Sequence, residues 1–374
     1  MGSLSIGSGQ TAIGLDIATD HVRVAQVKSS GSGFTLTGYG VIDVPMGAMA
    51  DGEIVDASAV SSAVKDLWRH SKVHGKNVSV GVSNQRVIVR LIDLPFMERG
   101  ELQSAIQYQA QDYIPMAVED SILDFQIIGD YMTQNDEHMM EVLLVAAHRE
   151  MIGSVVGAVE GAGLKLDQID VSSFAVVRAL MGDTQSVLPD DQGKTTAIIH
   201  IATGLTNITV VENGVPRFNR ISSLAGSAFT RAVANVLNIG FEEAEDLKRR
   251  IGLPSIDGTD DVPVSGVDPE YVPVVHQAIE REVNKFIAEV RRSLDYYLTQ
   301  TAQVRTINRI LLTGSGARLA NFASYLEKGL QAQVMLVDPF VDRVQIASGA
   351  AQALGDDRMG SVTAVGLALG GLQA

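Results

Sequence analysis

Two stretches of this chain share one pattern around a matching tip, and this repeat limits the possible folds more than any other feature. Residues 12–27 read AIGLDIATDHVRVAQV and residues 196–211 read TAIIHIATGLTNITVV. Placing His200 on Asp16 sets Ile201-Ala202-Thr203 over Ile17-Ala18-Thr19. An alternating apolar run follows in each copy, Val22, Val24 and Val27 in the first and Ile208, Val210 and Val211 in the second. An apolar strand, a turn of small residues and a second strand make a hairpin whose tip presents polar groups. One such hairpin is ordinary structure, because Asp and Thr cap nearby backbone wherever they sit in turns. Two with matching tips imply an internal duplication, hence two similar domains facing one another with a ligand in the cleft between the tips.

The length of 374 residues suits two domains or more. A formal net charge of -15 argues against broad nucleic-acid binding, which needs dense Lys and Arg. The chain has no cysteine, which excludes disulfides, thiolate metal sites and thiol nucleophiles. The opening MGSLSIGSGQ lacks the basic and apolar segments of a signal peptide, and the uncharged run from Gly360 is too short to span a bilayer. The expectation is a cytoplasmic protein, with Gly366 and Gly370 serving close packing of the last segment on a domain.

Periodicity places a helix through Val60, Val64, Leu67 and Trp68, and strands at Val78 to Val82 and Val87 to Leu91. A helix through Leu102, Ile106 and Ala110 stops before Pro115. Strands at Ser121 to Ile128 and Met140 to Ala147 follow, then a helix from Arg149 to Gly161. Residues 79–166 thus read as a compact unit inserted in the first domain. The polar stretch 182–194 separates the halves, and a long amphipathic helix runs from Val272 to Tyr297. Late in the chain, the strand RILLTG meets a glycine turn and a helix, a geometry that suits phosphates, although TGSGARLANF is neither a Walker A loop nor a dinucleotide fingerprint.

These segments together resemble the type IV pilus assembly protein PilM family, a relative of the division protein FtsA in the actin and heat-shock chaperone ATPase superfamily. The likeness rests on IGLDIATDHVRVAQV, LIDLPFMERGELQSAIQYQAQDYIPM, IDVSSFAVVRAL, EEAEDLKRRIGLP and RILLTGSGARLANF as well as the second hairpin, and it covers essentially the full length. It implies an α/β, actin-like ATPase fold of two duplicated ribonuclease-H-like domains with an inserted FtsA-type (SHS2-like) subdomain. Residues 1–78, 167–193 and 340–374 would form the first domain, 79–166 the insert, and 194–339 the second domain with a helical part at about 223–305.

The resemblance further implies a bound ATP or ADP with magnesium. Asp16, Ala18, Thr19, Asp20, His21 and Arg23 would form the first phosphate loop. Ala202, Thr203, Gly204, Leu205 and Thr206 would form the second, with Gly226 beside it. Glu245 and Lys248 would reach the ribose or adenine, and Gly314, Ser315, Gly316 and Arg318 would form the adenosine loop. Asp16 would hold magnesium through water. As plain surface chemistry, Glu245 and Lys248 would instead be an exposed ion pair and Arg23 a solvated strand residue. Five positions depart from the family pattern, beginning with Ala18 and Ala202, which stand where each tip usually carries a glycine. His200 stands where the second tip would carry a carboxylate, Arg23 stands where a Lys is usual, and Ser172 occupies the place of a water-positioning Gln or Glu. Loss of these parts weakens phosphoryl transfer more than binding.

The implied role is a scaffold of the pilus machine that docks the short N-terminal cytoplasmic peptide of an inner-membrane PilN protein in a groove between the insert and the first actin-like half, with hydrolysis very slow or absent. Other motor components and a homo-oligomeric ring are further implied partners. An active ATPase or kinase of the same superfamily and an FtsA-like division protein are the alternatives, the latter opposed by the lack of a basic amphipathic C-terminal helix.

Overall fold

The computed structural model describes residues 9–31, 33–182, 193–256, 258, 265–300, 306–341 and 343–373, so most of the separating stretch 182–194 lies outside the described residues. The chain opens with β1 (Thr11–Ile17), β2 (His21–Ser30) and β3 (Gly33–Asp43), a small hairpin of β4 (Met49–Ala50) and β5 (Glu53–Ile54), helix α1 (Ala57–His70) and β6 (Asn77–Val82). Next come β7 (Val87–Pro95), α2 (Arg99–Gln109), β8 (Ser121–Met132), β9 (His138–His148), α3 (Arg149–Gly161), β10 (Lys165–Val171) and α4 (Ser172–Met181). The second half contains β11 (Thr195–Ile201), β12 (Thr206–Glu212), β13 (Val215–Ser222), α5 (Gly226–Leu237), α6 (Phe241–Ile251), α7 (Tyr271–Gln300), β14 (Arg309–Thr313), α8 (Phe322–Leu330) and β15 (Val334–Leu336). The chain then returns with β16 (Val344–Ile346), α9 (Ser348–Leu354) and α10 (Val362–Gly371).

Two sheets repeat one plan. The first runs β10-β6-β1-β2-β3-β16 and the second β13-β12-β11-β14-β15. In each, an antiparallel three-strand meander continues into a parallel neighbour on the side of its first strand, β6 beside β1 and β14 beside β11. The duplication read from the two tips is therefore a duplication of whole sheets. β11 is buried at every position, as a strand covered on both faces must be. The second core is centred on Phe229, Phe286 and Phe322, whose ring centroids lie 5.6 to 6.2 Å apart.

Helix α10 is uncharged and nearly all buried, and it lies between β1 and α4. A Cβ on Gly366 would sit 1.9 Å from the Ala175 carbonyl oxygen, and one on Gly14 would sit 2.0 Å from that of Ala364. Close backbone approach is thus what these glycines provide. Among the described residues no helix is long and apolar enough to cross a membrane.

The inserted unit is smaller than 79–166. Strand β6 pairs in parallel with β1 and β10 inside the first sheet, and Met151, Val155, Ala158 and Val159 of α3 join the same core as α1. The separate sheet is the antiparallel β7-β9-β8, whose own core takes in α2 through Leu102 and Ile106. On this topology we place the insert at 87–148. Alternation along β6 identifies a strand but not its partner, and for that reason the sequence put β6 with its neighbour in the chain.

Candidate functional site

Both tips close in the same way. The Ala18 N–H donates to the His21 carbonyl at 2.9 Å, and the Ala202 N–H donates to the Leu205 carbonyl at 3.0 Å. The tips meet where a Cβ on Gly204 would fall 2.3 Å from Thr19 Oγ1, so only a glycine lets them approach. The space around this junction divides into a large cavity of about 350 Å³ and a small one of about 60 Å³.

The large cavity gathers half of the expected residues. His21, Arg23 and Thr203 line it from the tips, Gly226 from the start of α5, and Glu245 and Lys248 from α6. Ser315, Gly316 and Arg318 close it from the glycine turn after β14. Gly226 and Gly316 let three backbones converge, since a Cβ on Gly226 would lie 3.3 Å from the Ala202 oxygen and 3.9 Å from Gly316 Cα. The first N–H groups of α5 are already used, Gly226 donating to the Ala202 carbonyl and Ser227 to that of Thr203. Gly226 therefore contributes space to this cavity.

Lys248 and Arg23 are buried, at 8% and 7% exposure, so neither is the solvated residue that plain surface chemistry would make it. Lys248 Nζ donates to Glu245 Oε2 at 2.6 Å and to Thr230 Oγ1 at 2.9 Å. Burial lowers the Lys248 pKa although Glu245 opposes the shift. Burial would raise the Glu245 pKa, but Lys248, Thr230 and Arg249 outweigh it and hold the carboxyl ionised. Arg23 Nε donates to Asp357 Oδ2 at 2.8 Å, and the Tyr39 hydroxyl donates to the same oxygen at 2.6 Å. Burial alone would favour a neutral guanidine, and Tyr39 and Asp357 outweigh it, so Arg23 remains a cation.

Asp357 lines the large cavity and was not found from the sequence. It lies 334 positions from Arg23, and only the return of the chain through β16 and α9 brings them together. The acidic pair Asp356-Asp357 carries no local pattern that marks a partner.

The small cavity takes Asp16, Ala18 and Thr19 from the first tip and Ala202, Gly204 and Leu205 from the second, together with His200 and Ser172. Burial pushes the Asp16 carboxyl up to about 6 and the His200 imidazole down to about 4. His200 is 7% exposed and its Nδ1 has no hydrogen-bond partner, as is also true of Thr363 Oγ1 in the same cavity. Ser172, the first residue of α4, sits where a Cβ on Gly81 would come within 2.6 Å of its hydroxyl.

Three expected residues line neither cavity. Burial would raise the Asp20 pKa, but its neighbours His21, whose Nδ1 lies 2.6 Å from Asp20 Oδ2, and Thr203 outweigh it. Thr206 donates its hydroxyl to the Leu224 carbonyl at 2.9 Å. Gly314 has φ +95°, and a Cβ there would lie 2.3 Å from the Ile201 oxygen, so it shapes the turn.

Asp16 is a poor magnesium ligand in this setting. Its partner across the β1–β2 ladder is the permanent cation Arg23, and its counterpart in the second tip is a neutral histidine. Among the described residues no three His, Asp or Glu side chains group as metal ligands.

Residues 14–372 match the model of a family described as type IV pilus assembly protein PilM. The chain belongs to the PilM family. It is similar over 96% of its length to 98% of a chain in a solved PilM-PilN type IV pilus biogenesis complex, at 24% identity and a TM-score of 0.80. It also matches MreB 5 of Spiroplasma citri bound to AMPPNP, at 13% identity and a TM-score of 0.50 over 96% of this chain and 94% of that one. Cell division protein FtsA of Enterococcus hirae is 22% identical over 352 residues, which is 87% of this chain and 78% of that protein. Against FtsA of Escherichia coli strain K12 the match spans only 49% of the relative's length. The fold of this PilM-family chain is actin-like, two ribonuclease-H-like halves with the FtsA-type insert in the first.

Proposed function

We propose that this chain is a nucleotide-binding scaffold of type IV pilus assembly. It works in the cytoplasm and is held at the inner membrane by the N-terminal peptide of a PilN-like protein. The observation that supports this most is the family match over residues 14–372, because it takes in the inserted sheet as well as both tips. ATP or ADP occupies the large cavity, with its phosphates between the tips and its nucleoside end toward Glu245, Lys248 and the Gly316 turn. The AMPPNP bound to MreB 5 supports this choice of ligand. Turnover is very slow or absent, since Ser172 and His200 stand where a water-positioning residue and a second carboxylate are needed.

The peptide docks on the insert. Strands β7 and β8 are both edges of their sheet, so an extended peptide gains main-chain hydrogen bonds and pockets for alternate side chains. Hydrogen exchange of the intact chain, with and without a synthetic peptide from the N-terminus of the neighbouring membrane protein, tests this. Protection within 87–148 is expected, and protection confined to the two actin-like halves would overturn the docking site.

A further inference from the structure

We propose that this chain neutralises the phosphates of its nucleotide with Arg23 in place of a divalent cation, so that binding does not require magnesium. The inference rests on the nucleotide reading above. A magnesium ion beside phosphates keeps several waters and is usually held by one or two carboxylates as well as by the phosphate oxygens. Here Asp16 is the one candidate carboxylate at the matched tip positions, and it lines the small cavity while the phosphate-side residues Arg23 and Thr203 line the large one. A cation placed against Asp16 would also meet the guanidinium of its ladder partner, Arg23.

The large cavity carries the opposite chemistry. Three arginines and Lys248 line it, Arg23 and Lys248 buried and Arg249 and Arg318 at the exposed rim, against the carboxylates of Glu245 and Asp357. This excess of positive charge occurs in a chain whose net charge is -15. Arg23 is also preorganised. Asp357 grips its Nε, Tyr39 fixes Asp357, and Gly360 leaves room for the pair, since a Cβ there would lie 2.0 Å from Asp357 Oδ1 and 3.2 Å from Arg23 Nη2. A guanidinium held through Nε keeps its terminal N–H groups for a bidentate grip on phosphate, which a lysine cannot reproduce.

The test is calorimetric titration of the full chain with ATP, in excess chelator and in magnesium. Two variants accompany the wild type: Arg23→Lys, and the double variant Arg23→Gln with Asp357→Asn, which removes both charges of the buried pair and so leaves neither unpaired. Thermal unfolding checks that each folds. The wild type should bind within about threefold as tightly in chelator as in magnesium, and the double variant should lose about tenfold or more in chelator. Arg23→Lys should lie between them. Binding by the wild type only with magnesium would overturn this inference and leave the nucleotide reading standing. A double variant that binds like the wild type in chelator would also overturn it. Absence of binding in both buffers would overturn the two together.

Discussion

In the first hairpin tip Asp16 faces Arg23 across the ladder, and in the second the same two positions hold His200 and Asn207. The backbones are alike down to the turn-closing hydrogen bond, yet one tip carries a buried charge of each sign and the other carries none. Duplication fixed the geometry, and the electrostatics then diverged. The first tip supplies the cation that faces the large cavity, while the second supplies shape through Thr203, Gly204 and the glycine turn packed behind it.

The largest expected effect breaks that shape. Gly314→Ala puts a Cβ against the Ile201 carbonyl at φ +95°, which combines backbone strain with an overpacked contact. A loss of about 4 kcal/mol in denaturant unfolding is expected, falling on the second half. A cost under about 1 kcal/mol would mean that the turn yields easily, and the second tip would lose its claim to rigidity.

Next is a pH test that separates the tips. Asp16 has its folded pKa raised from 3.8 to about 6, so its contribution to stability is complete below 3.8 and is lost as the pH rises through 6. Asp16→Asn should therefore stabilise the chain near neutral pH by up to ~3 kcal/mol, with the gain fading near the unfolded pKa of 3.8. His200 runs the other way. Its pKa falls from 6.5 to about 4, so its contribution is present above 6.5 and is lost as the pH falls through 4. His200→Asn should flatten the acid limb of the stability profile over that window. Profiles that shift in the same direction for both variants would show that the tips are not electrostatically distinct.

The smallest effect concerns a residue that the resemblance assigned to the ligand. Thr206→Val should cost about 1 kcal/mol through the lost bond to Leu224 and leave nucleotide affinity unchanged. A drop in affinity larger than the change in stability would return Thr206 to the site.

The duplicated hairpins were legible in the sequence because each is local, so that spacing and alternation specify the strands, the turn and the matching tips. Pairing partners were not. β6 reads as a strand like β7, yet it belongs to a different sheet, and the choice depends on parallel contacts with β1 and β10 far along the chain. The expected site residues were named as one set, but the fold divides them between two cavities, so that even the ladder partners Asp16 and Arg23 line different ones. Asp357 and Tyr39 had no readable signal, since both acquire their role only by meeting Arg23.

A structure of the chain with bound ADP decides whether the two tips hold a nucleotide in the large cavity. Phosphate density is expected within hydrogen-bond reach of the Arg23 guanidinium, with the nucleoside against Glu245, Lys248 and the Gly316 turn. Nucleotide density elsewhere on the molecule, with this cavity unchanged, would contradict this placement.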